Sequence, residues 1–260
     1  MAVKAYGRTH RGLVRHENQD HFLVLPLKPA GWLVAVADGM GGYPGGGGAS
    51  SRALEIVADR LSGRPHSVVE LEQTVKACNQ DLFEWAQRER RLMGMGTTLT
   101  LAQIVPGQLQ LAHVGDSRAY RLRAGIVDRL TQDHSVAAEL QQAGQISVAE
   151  AAQHPQRHVL TRVVGPWLQV RVDLLAVPWH AADRLLVCSD GLSGLLSDEE
   201  LGAVWQLGHG ETLLDHLVTS ALERGGNDNV TAVLVEEDEP GRGWEWTDRQ
   251  PAAPPERAPA

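Results

Sequence analysis

Three aspartates share one local grammar. Asp38 follows the apolar run at 33–37 and precedes Gly39-Met40-Gly41-Gly42. Asp190 follows the run at 185–188 and precedes Gly191, and Asp228 sits in Gly225-Gly226-Asn227-Asp228-Asn229 just before the run at 230–235. Each carboxylate stands at the end of a short apolar stretch, which holds a side chain firmly. Each also has Gly or Asn beside it, where the backbone turns sharply and a carbonyl or ligand can come close. Asp-Gly and Asn-Asp-Asn are common turn chemistry as well, and any one of these aspartates taken alone reads as a turn residue. Three of them abutting buried-type strands read as an oxygen-rich pocket suited to Mg2+ or Mn2+, which are hard cations. Spacing does not bring them together; the fold must do that.

Two more acids follow the pattern. Asp20 closes Asn18-Gln19-Asp20 ahead of the run at 21–25, and Asp116 lies in His113-Val114-Gly115-Asp116-Ser117-Arg118 between two strand candidates. Arg15 and Arg118 are the basic candidates for holding a phosphate, with a solvated surface charge as the alternative for each.

The elements that must position these residues are legible in outline. Residues 21–25 and 32–37 are short and apolar. Residues 96–105 and 108–114 flank Pro106-Gly107 as a hairpin, and 118–122 and 126–130 flank Arg123-Ala124-Gly125 as another. Strand candidates follow at 169–177, 184–188 and 230–235. Apolar residues at helical spacing predict helices over 49–61, 68–92 and 211–223. Ser67 with Glu70, Ser147 with Glu150, and Ser197 with Glu200 have the spacing of capping boxes. Hairpin connections mean antiparallel sheets, and sheets of this size need their faces covered by a second sheet or by helices. The expected fold is α+β, a layered sandwich with helices outside.

The chain has 260 residues, a formal net charge of −8 from 24 basic and 32 acidic residues, and no basic block. That balance argues against nucleic acid as a partner, because phosphate backbones recruit Lys and Arg. Cys78 and Cys188 lack metal-ligand spacing and read as buried thiols in a reducing compartment. The opening residues carry no signal-peptide pattern and no apolar run is long enough to span a membrane, so the expected location is the cytoplasm. Residues 237–260 turn acidic and then proline-rich, and the expectation there is a flexible tail behind a catalytic domain at 1–236. Trp244 and Trp246 within it either dock on the domain or form a partner patch.

The motifs occur in a telling order. Arg15-His16-Glu17-Asn18-Gln19-Asp20, Val36-Ala37-Asp38-Gly39-Met40-Gly41-Gly42, Gly96-Thr97-Thr98-Leu99 and Val114-Gly115-Asp116-Ser117-Arg118 come first. Leu130-Thr131-Gln132-Asp133-His134-Ser135, Leu160-Thr161-Arg162-Val163-Val164-Gly165, Ser189-Asp190-Gly191-Leu192 and Asp228-Asn229-Val230-Thr231 complete the set. Taken together they resemble the bacterial metal-dependent Ser/Thr protein phosphatases of type 2C.

The resemblance implies two packed antiparallel sheets flanked by helices on both outer faces, a four-layer sandwich, with a mobile flap at about 134–165. It implies two core Mn2+ or Mg2+ ions and a weaker third. Asp38 would bridge the core pair with the Gly39 carbonyl on one ion, and Asp190 and Asp228 would hold the other. Asp20 would sit beside them, Asp116 with Asp190 would hold the third, and Arg15 would clamp the substrate phosphate. A water bridging two cations would then attack phosphorus in line. Phosphorylated proteins are the implied substrates, with a Ser/Thr kinase as the opponent.

Three departures stand out. Tyr43 replaces a histidine common after the Asp38 motif, Gly45-Gly46-Gly47-Gly48 replaces a stretch that usually holds an acid, and His10 replaces an Asp ahead of Arg15. The first bears on protonation of the leaving group, the second predicts a looser loop entering the helix at Ala49, and the third bears on how Arg15 is held. A non-catalytic relative and a nucleotide phosphodiesterase are the rival readings. The intact Asp38, Asp190 and Asp228 weigh against the first, and the lack of a nucleotide fingerprint or an aromatic base platform against the second.

Overall fold

The computed structural model describes residues 3–41, 45–180 and 182–237. In chain order it contains β1 (Val3–His10), β2 (Asp20–Pro26), β3 (Trp32–Met40), α1 (Gly45–Leu61), α2 (Val68–Arg88), β4 (Gly96–Thr97), β5 (Leu99–Val105), β6 (Gln108–Val114), β7 (Arg118–Arg123) and β8 (Ile126–Arg129). These are followed by α3 (Val136–Gln142), α4 (Val148–Gln153), β9 (Asp173–Pro178), β10 (Arg184–Cys188), α5 (Asp190–Ser193), α6 (Asp198–Trp205), α7 (Gly210–Glu223) and β11 (Val230–Glu237). One sheet has the order β1-β11-β10-β7-β8, and the other β2-β3-β5-β6-β9 with β4 added beside β3. Every strand pairing is antiparallel.

Side-chain parity builds the layers. Val34 and Val36 of β3 meet Leu185, Val187, Val233 and Val235 of the other sheet in a core between the sheets. The alternate residues Leu33, Ala35 and Ala37 face Ala53, Val57, Leu71 and Cys78 of α1 and α2. On the opposite flank, Leu186, Cys188, Ala232 and Leu234 pack on Leu213, Leu217 and Trp205 of the α6–α7 layer. Both faces of the central strands are buried, which is why they read as continuous apolar runs rather than alternating ones. Truncating one of these leucines to Ala costs about 2–5 kcal/mol in cores of this kind. The four-layer sandwich expected from the motifs is the fold found.

The capping boxes at Ser67, Ser147 and Ser197 all form. Several boundaries differ from expectation. The helix predicted over 68–92 stops at Arg88. Glu89 leaves helical geometry at φ −122° and ψ 96°, and a 3-10 turn, Arg90–Leu92, follows. There the Glu89 carboxylate accepts from the Trp85 indole at 3.1 Å and from Arg91 at 2.9 Å, partners that favour the break.

The glycine run is not a loop, because α1 begins at Gly45 rather than Ala49. A Cβ on Gly39 would lie 2.2 Å from the Gly46 carbonyl, and one on Gly46 would lie 2.8 Å from Gln19 Oε1. Tertiary packing thus holds a helical turn whose glycines each cost about 1 kcal/mol of propensity.

Strand β11 runs to Glu237, past the expected domain boundary, and the rest of the predicted tail, with Trp244 and Trp246, lies outside the described residues. Elements that carried no sequence signal that we read include β1, α3 and the short α5. The first pairs along its whole length with β11, from Val3 opposite Glu237 to His10 opposite Val230.

Candidate active site

The five aspartates all lie at strand ends on one rim of the sandwich. Asp20 opens β2, Asp38 lies near the end of β3, Asp190 follows β10, Asp228 precedes β11, and Asp116 sits between β6 and β7. Parity aims the first two. Asp20 follows the phase of Phe22 and Val24, and Asp38 that of Val34 and Val36, all of which face the space between the sheets. The register makes Asp20 and Asp38 direct cross-strand partners. Like charges opposite each other destabilise a ladder, so the fold tolerates this pair at a cost.

The electrostatics follow from that crowding. Burial pushes the Asp38 carboxyl well above the usual carboxylate range, and Asp20, Asp190, Asp116 and Asp228 push it further. Burial likewise raises Asp20, with Asp190 and Asp228 adding to it while Ser189 and Thr231 hydrogen bonds oppose it. Asp116 is raised by burial and then by Asp190.

A hydrogen-bonded frame fixes the backbone under these acids. Thr98 Oγ1 accepts from Asp38 N–H at 2.9 Å, and Thr97 Oγ1 donates to the Asp38 carbonyl at 2.9 Å. Ser189 Oγ donates to Asp20 Oδ2 at 2.7 Å, tying the start of β2 to the turn that bears Asp190. Asn229 accepts from Gln19 N–H at 2.8 Å and donates to the carbonyls of Arg11 and Glu17 at 2.8 Å each, so it holds the whole loop carrying Arg15. Gly191 is packed so closely that a Cβ there would lie 1.9 Å from the Asn229 carbonyl, and this contact sets Asp190 beside Asp228.

The donor set is all oxygen and suits a hard divalent cation. Asp20 Oδ1 and Asp190 Oδ1 are buried without a hydrogen-bond partner, and such atoms cost about 1–3 kcal/mol each unless something fills their lone pairs. Among the described residues no three acidic, His or Cys side chains already form a closed cage. Asp228 instead pairs with Arg15 Nη2 at 2.7 Å, and Asp20 accepts from Ser189. A divalent ion would reverse the balance, so the residues fit such a group.

The two basic candidates part ways. Arg15 is more than half exposed beside Asp228, and its proton is held by the hydrogen bond to that carboxylate, against partial burial. Arg118 is occupied elsewhere. Its Nη2 and Nε donate to Asp133 at 2.7 and 3.0 Å and its Nη1 to the Tyr120 hydroxyl at 3.1 Å, so it is a structural cation rather than a phosphate ligand. Tyr43 lies outside the described residues.

Sequence reasoning missed three participants. Asn229 and Ser189 stand inside quoted motifs, but nothing in their spacing announces that they bind loops more than 160 residues away in the chain. His158 carried no signal at all, yet its Nδ1 lies 3.6 Å from Asp190 Oδ2. It is brought there by the excursion between residues 136 and 160, whose helix α4 buries no residue.

The profile of the family described as protein phosphatase 2C matches residues 7–235. The chain is 38% identical over 240 residues to the serine/threonine phosphatase stp of Listeria monocytogenes, covering 89% of this chain and 94% of that protein. It superposes on the crystal structure of the serine/threonine phosphatase PstP/Ppp of Mycobacterium tuberculosis with a TM-score of 0.85 at 35% identity, covering 92% of this chain and all of that one. A PstP catalytic domain in complex with two manganese ions gives a TM-score of 0.81 at 34% identity, covering 91% of this chain and 99% of that one. A rim of five strand-end aspartates, an arginine at its edge and a match along nearly the whole sandwich lead to one assignment: the chain belongs to the protein phosphatase 2C family.

Proposed function

We propose that the rim of aspartates is the active centre of a metal-dependent protein serine/threonine phosphatase. The observation that carries this reading is the convergence of Asp20, Asp38, Asp116, Asp190 and Asp228 at one end of the sandwich, close enough that each of the others raises the Asp38 carboxyl. In this reading Asp38, the Gly39 carbonyl, Asp190 and Asp228 would hold two divalent ions, Asp20 would support them, and Asp116 with Asp190 would hold a weaker third. The ions are Mn2+ or Mg2+. When bound, they acidify water and neutralise charge on the phosphoryl group.

The chain's own residues supply the rest. Arg15 turns from Asp228 to the phosphoryl oxygens, where a guanidinium fork matches the geometry. Thr97 and Thr98 fix the Asp38 backbone and Ser189 fixes the Asp20 carboxylate, so little reorganisation accompanies the reaction. Neither cysteine takes part: both are buried, and burial pushes each thiol up to about 12. The segment at about 134–165 serves as a flap beside the site, with His158 its point of approach to Asp190. Phosphoserine and phosphothreonine proteins are the substrates, and a Ser/Thr kinase is the opposing activity. No helix among the described residues is long and apolar enough to cross a membrane; a cytoplasmic location accords with two free thiols and a protein substrate.

The test is a side-by-side assay on a phosphothreonine peptide and a cyclic nucleotide, with manganese and with excess chelator. The reading expects peptide hydrolysis that needs the metal and no hydrolysis of the nucleotide. Metal-independent turnover, or preference for the nucleotide, would overturn it.

A further inference from the structure

A second polar cluster lies behind the rim of aspartates, and nothing in the reaction uses it. The excursion between residues 136 and 160 leaves the body through a narrow neck. Ser135 bridges Leu160, Val136 N–H donates to the Val159 carbonyl at 2.9 Å, and Thr161 N–H donates to the His134 carbonyl at 2.9 Å. Both legs of this neck reach one carboxylate at the start of β9. His134 Nε2 on the incoming leg lies 3.1 Å from Asp173 Oδ2, and Arg162 Nη1 on the outgoing leg donates to Asp173 Oδ1 at 2.6 Å. The other nitrogen of His134 faces the catalytic rim, where Nδ1 accepts the Gly115 N–H at 3.0 Å, one residue from Asp116.

The bonding partners fix the chemistry of the cluster. A backbone N–H can only donate, so His134 Nδ1 is the acceptor and Nε2 carries the proton given to Asp173. Burial lowers the His134 pKa and keeps the ring neutral. His113 stacks on it at 4.7 Å between centroids. Its Nε2 donates to the Gln132 carbonyl at 3.0 Å, and burial pushes it down to about 3, so His113 brings no positive charge to the cluster. The neck's anchor is therefore one carboxylate gripping a neutral imidazole and a guanidinium, with Arg171 a looser neighbour at 4.0 Å.

We propose that Asp173 is a positioning residue for phosphoprotein turnover, clasping both legs of the neck through His134 and Arg162. It thereby holds the 136–160 excursion and His158 against Asp190 while His134 fixes the Gly115 backbone beside Asp116. This rests on reading the excursion as the flap beside the active site. A small aryl phosphate needs only the metal rim and Arg15. A phosphoprotein must also fit beneath the excursion, so a loosened neck penalises the protein substrate selectively.

The experiment compares wild type with Asp173→Asn, Asp173→Glu and Arg162→Gln, each manganese-loaded. It measures kcat and KM on a phosphothreonine peptide and on p-nitrophenyl phosphate, and amide exchange at Val136 and Thr161. For Asp173→Asn we expect peptide KM to rise at least about fivefold, aryl phosphate kcat/KM to stay within about twofold, and the two neck amides to exchange at least about tenfold faster. Asp173→Glu recovers part of both effects, which loss of packing would not. Arg162→Gln releases only the outgoing leg and shows the same pattern more weakly, and it carries the test should Asp173→Asn fail to fold. Wild-type exchange at the neck amides would overturn the clasp. Faster exchange with equal effects on both substrates would leave the clasp standing and overturn the reading of the excursion as a substrate-facing flap.

Discussion

Arg15 Nη2 donates to Asp228 Oδ2 at 2.7 Å, so the cation expected to meet phosphate rests on a carboxylate expected to meet metal. The pair is solvent-accessible on both sides, and exposed pairs contribute only about 0–1 kcal/mol to stability. Arg15 is thus free to exchange partners as ion and substrate arrive. Arg15→Ala should lower kcat/KM on p-nitrophenyl phosphate about 10- to 100-fold, with the melting temperature nearly unchanged. Arg15→Lys should recover only part, because a point charge cannot fork across two oxygens. A large loss of melting temperature with normal kinetics would make the arginine structural.

Gly191 offers a test of geometry without touching a charged group. A Cβ placed 1.9 Å from the Asn229 carbonyl forces the Asp190 turn and the Asp228 turn apart. Gly191→Ala should cost about 1–3 kcal/mol of stability, as overpacking does, and at least about tenfold in kcat. Thermal melts and steady-state rates check it. A variant as active and as stable as wild type would show that the two turns are not locked by this contact.

Much of this arrangement could be read from the chain, and the unread part has physical causes. The strand-end aspartates were visible because an apolar run, an acid and a glycine leave a local imprint. The partners that aim them did not, since Ser189 meets Asp20, and Asn229 meets Glu17, only after β10 and β11 are placed beside β1 and β2. Strand β1 was missed because its mixed sequence gains its conformation from pairing with β11 rather than from its own pattern. The glycine run looked like a loop because helix propensity is local, whereas the close approach of Gly39 to Gly46 is tertiary. Arg118 looked available because its acceptor, Asp133, lies across the β7–β8 hairpin.

The crowded carboxylates predict how the metal-free protein responds to pH. Asp38 is raised in the folded state by burial and by four neighbouring acids, so the fold binds a proton there that the unfolded chain has released. Such a group contributes stability that is complete below the unfolded value and is lost as pH rises through the folded one. The buried His113 and His134 have the opposite sign, destabilising the fold as pH falls. Comparing wild type with Asp38→Asn cancels the histidines. In chelator, Asp38→Asn should melt above wild type by a margin that widens from pH 5 to pH 8. A widening of about 2 °C or more is the response of a chain this size to roughly 1 kcal/mol. A margin that stays flat or narrows with pH would show that Asp38 is not strained by its neighbours.

Asp116 separates substrates by their leaving groups. A serine alkoxide needs a proton as it departs, whereas an aryl phenolate leaves with little help, and general acid catalysis is worth about 10²–10⁴-fold where it is needed. Asp116 is buried beside Asp190, and a cation held by this pair, as proposed above, would acidify its water. Asp116→Ala should therefore lower kcat on a phosphoserine peptide at least about tenfold more than on p-nitrophenyl phosphate. Equal losses on the two substrates would point to general metal loading instead.

In the proposed function, Asp38, opposite Asp20 at the crowded end of the sandwich, would hold the ions on which phosphoprotein hydrolysis depends. The most direct measurement is kcat of wild type and Asp38→Asn on one phosphothreonine peptide at saturating manganese, with folding of both checked by circular dichroism. We expect a folded variant whose rate is below about a tenth of wild type, a barrier increase of more than roughly 1.4 kcal/mol. A folded Asp38→Asn that keeps more than that tenth would rule out this role for Asp38.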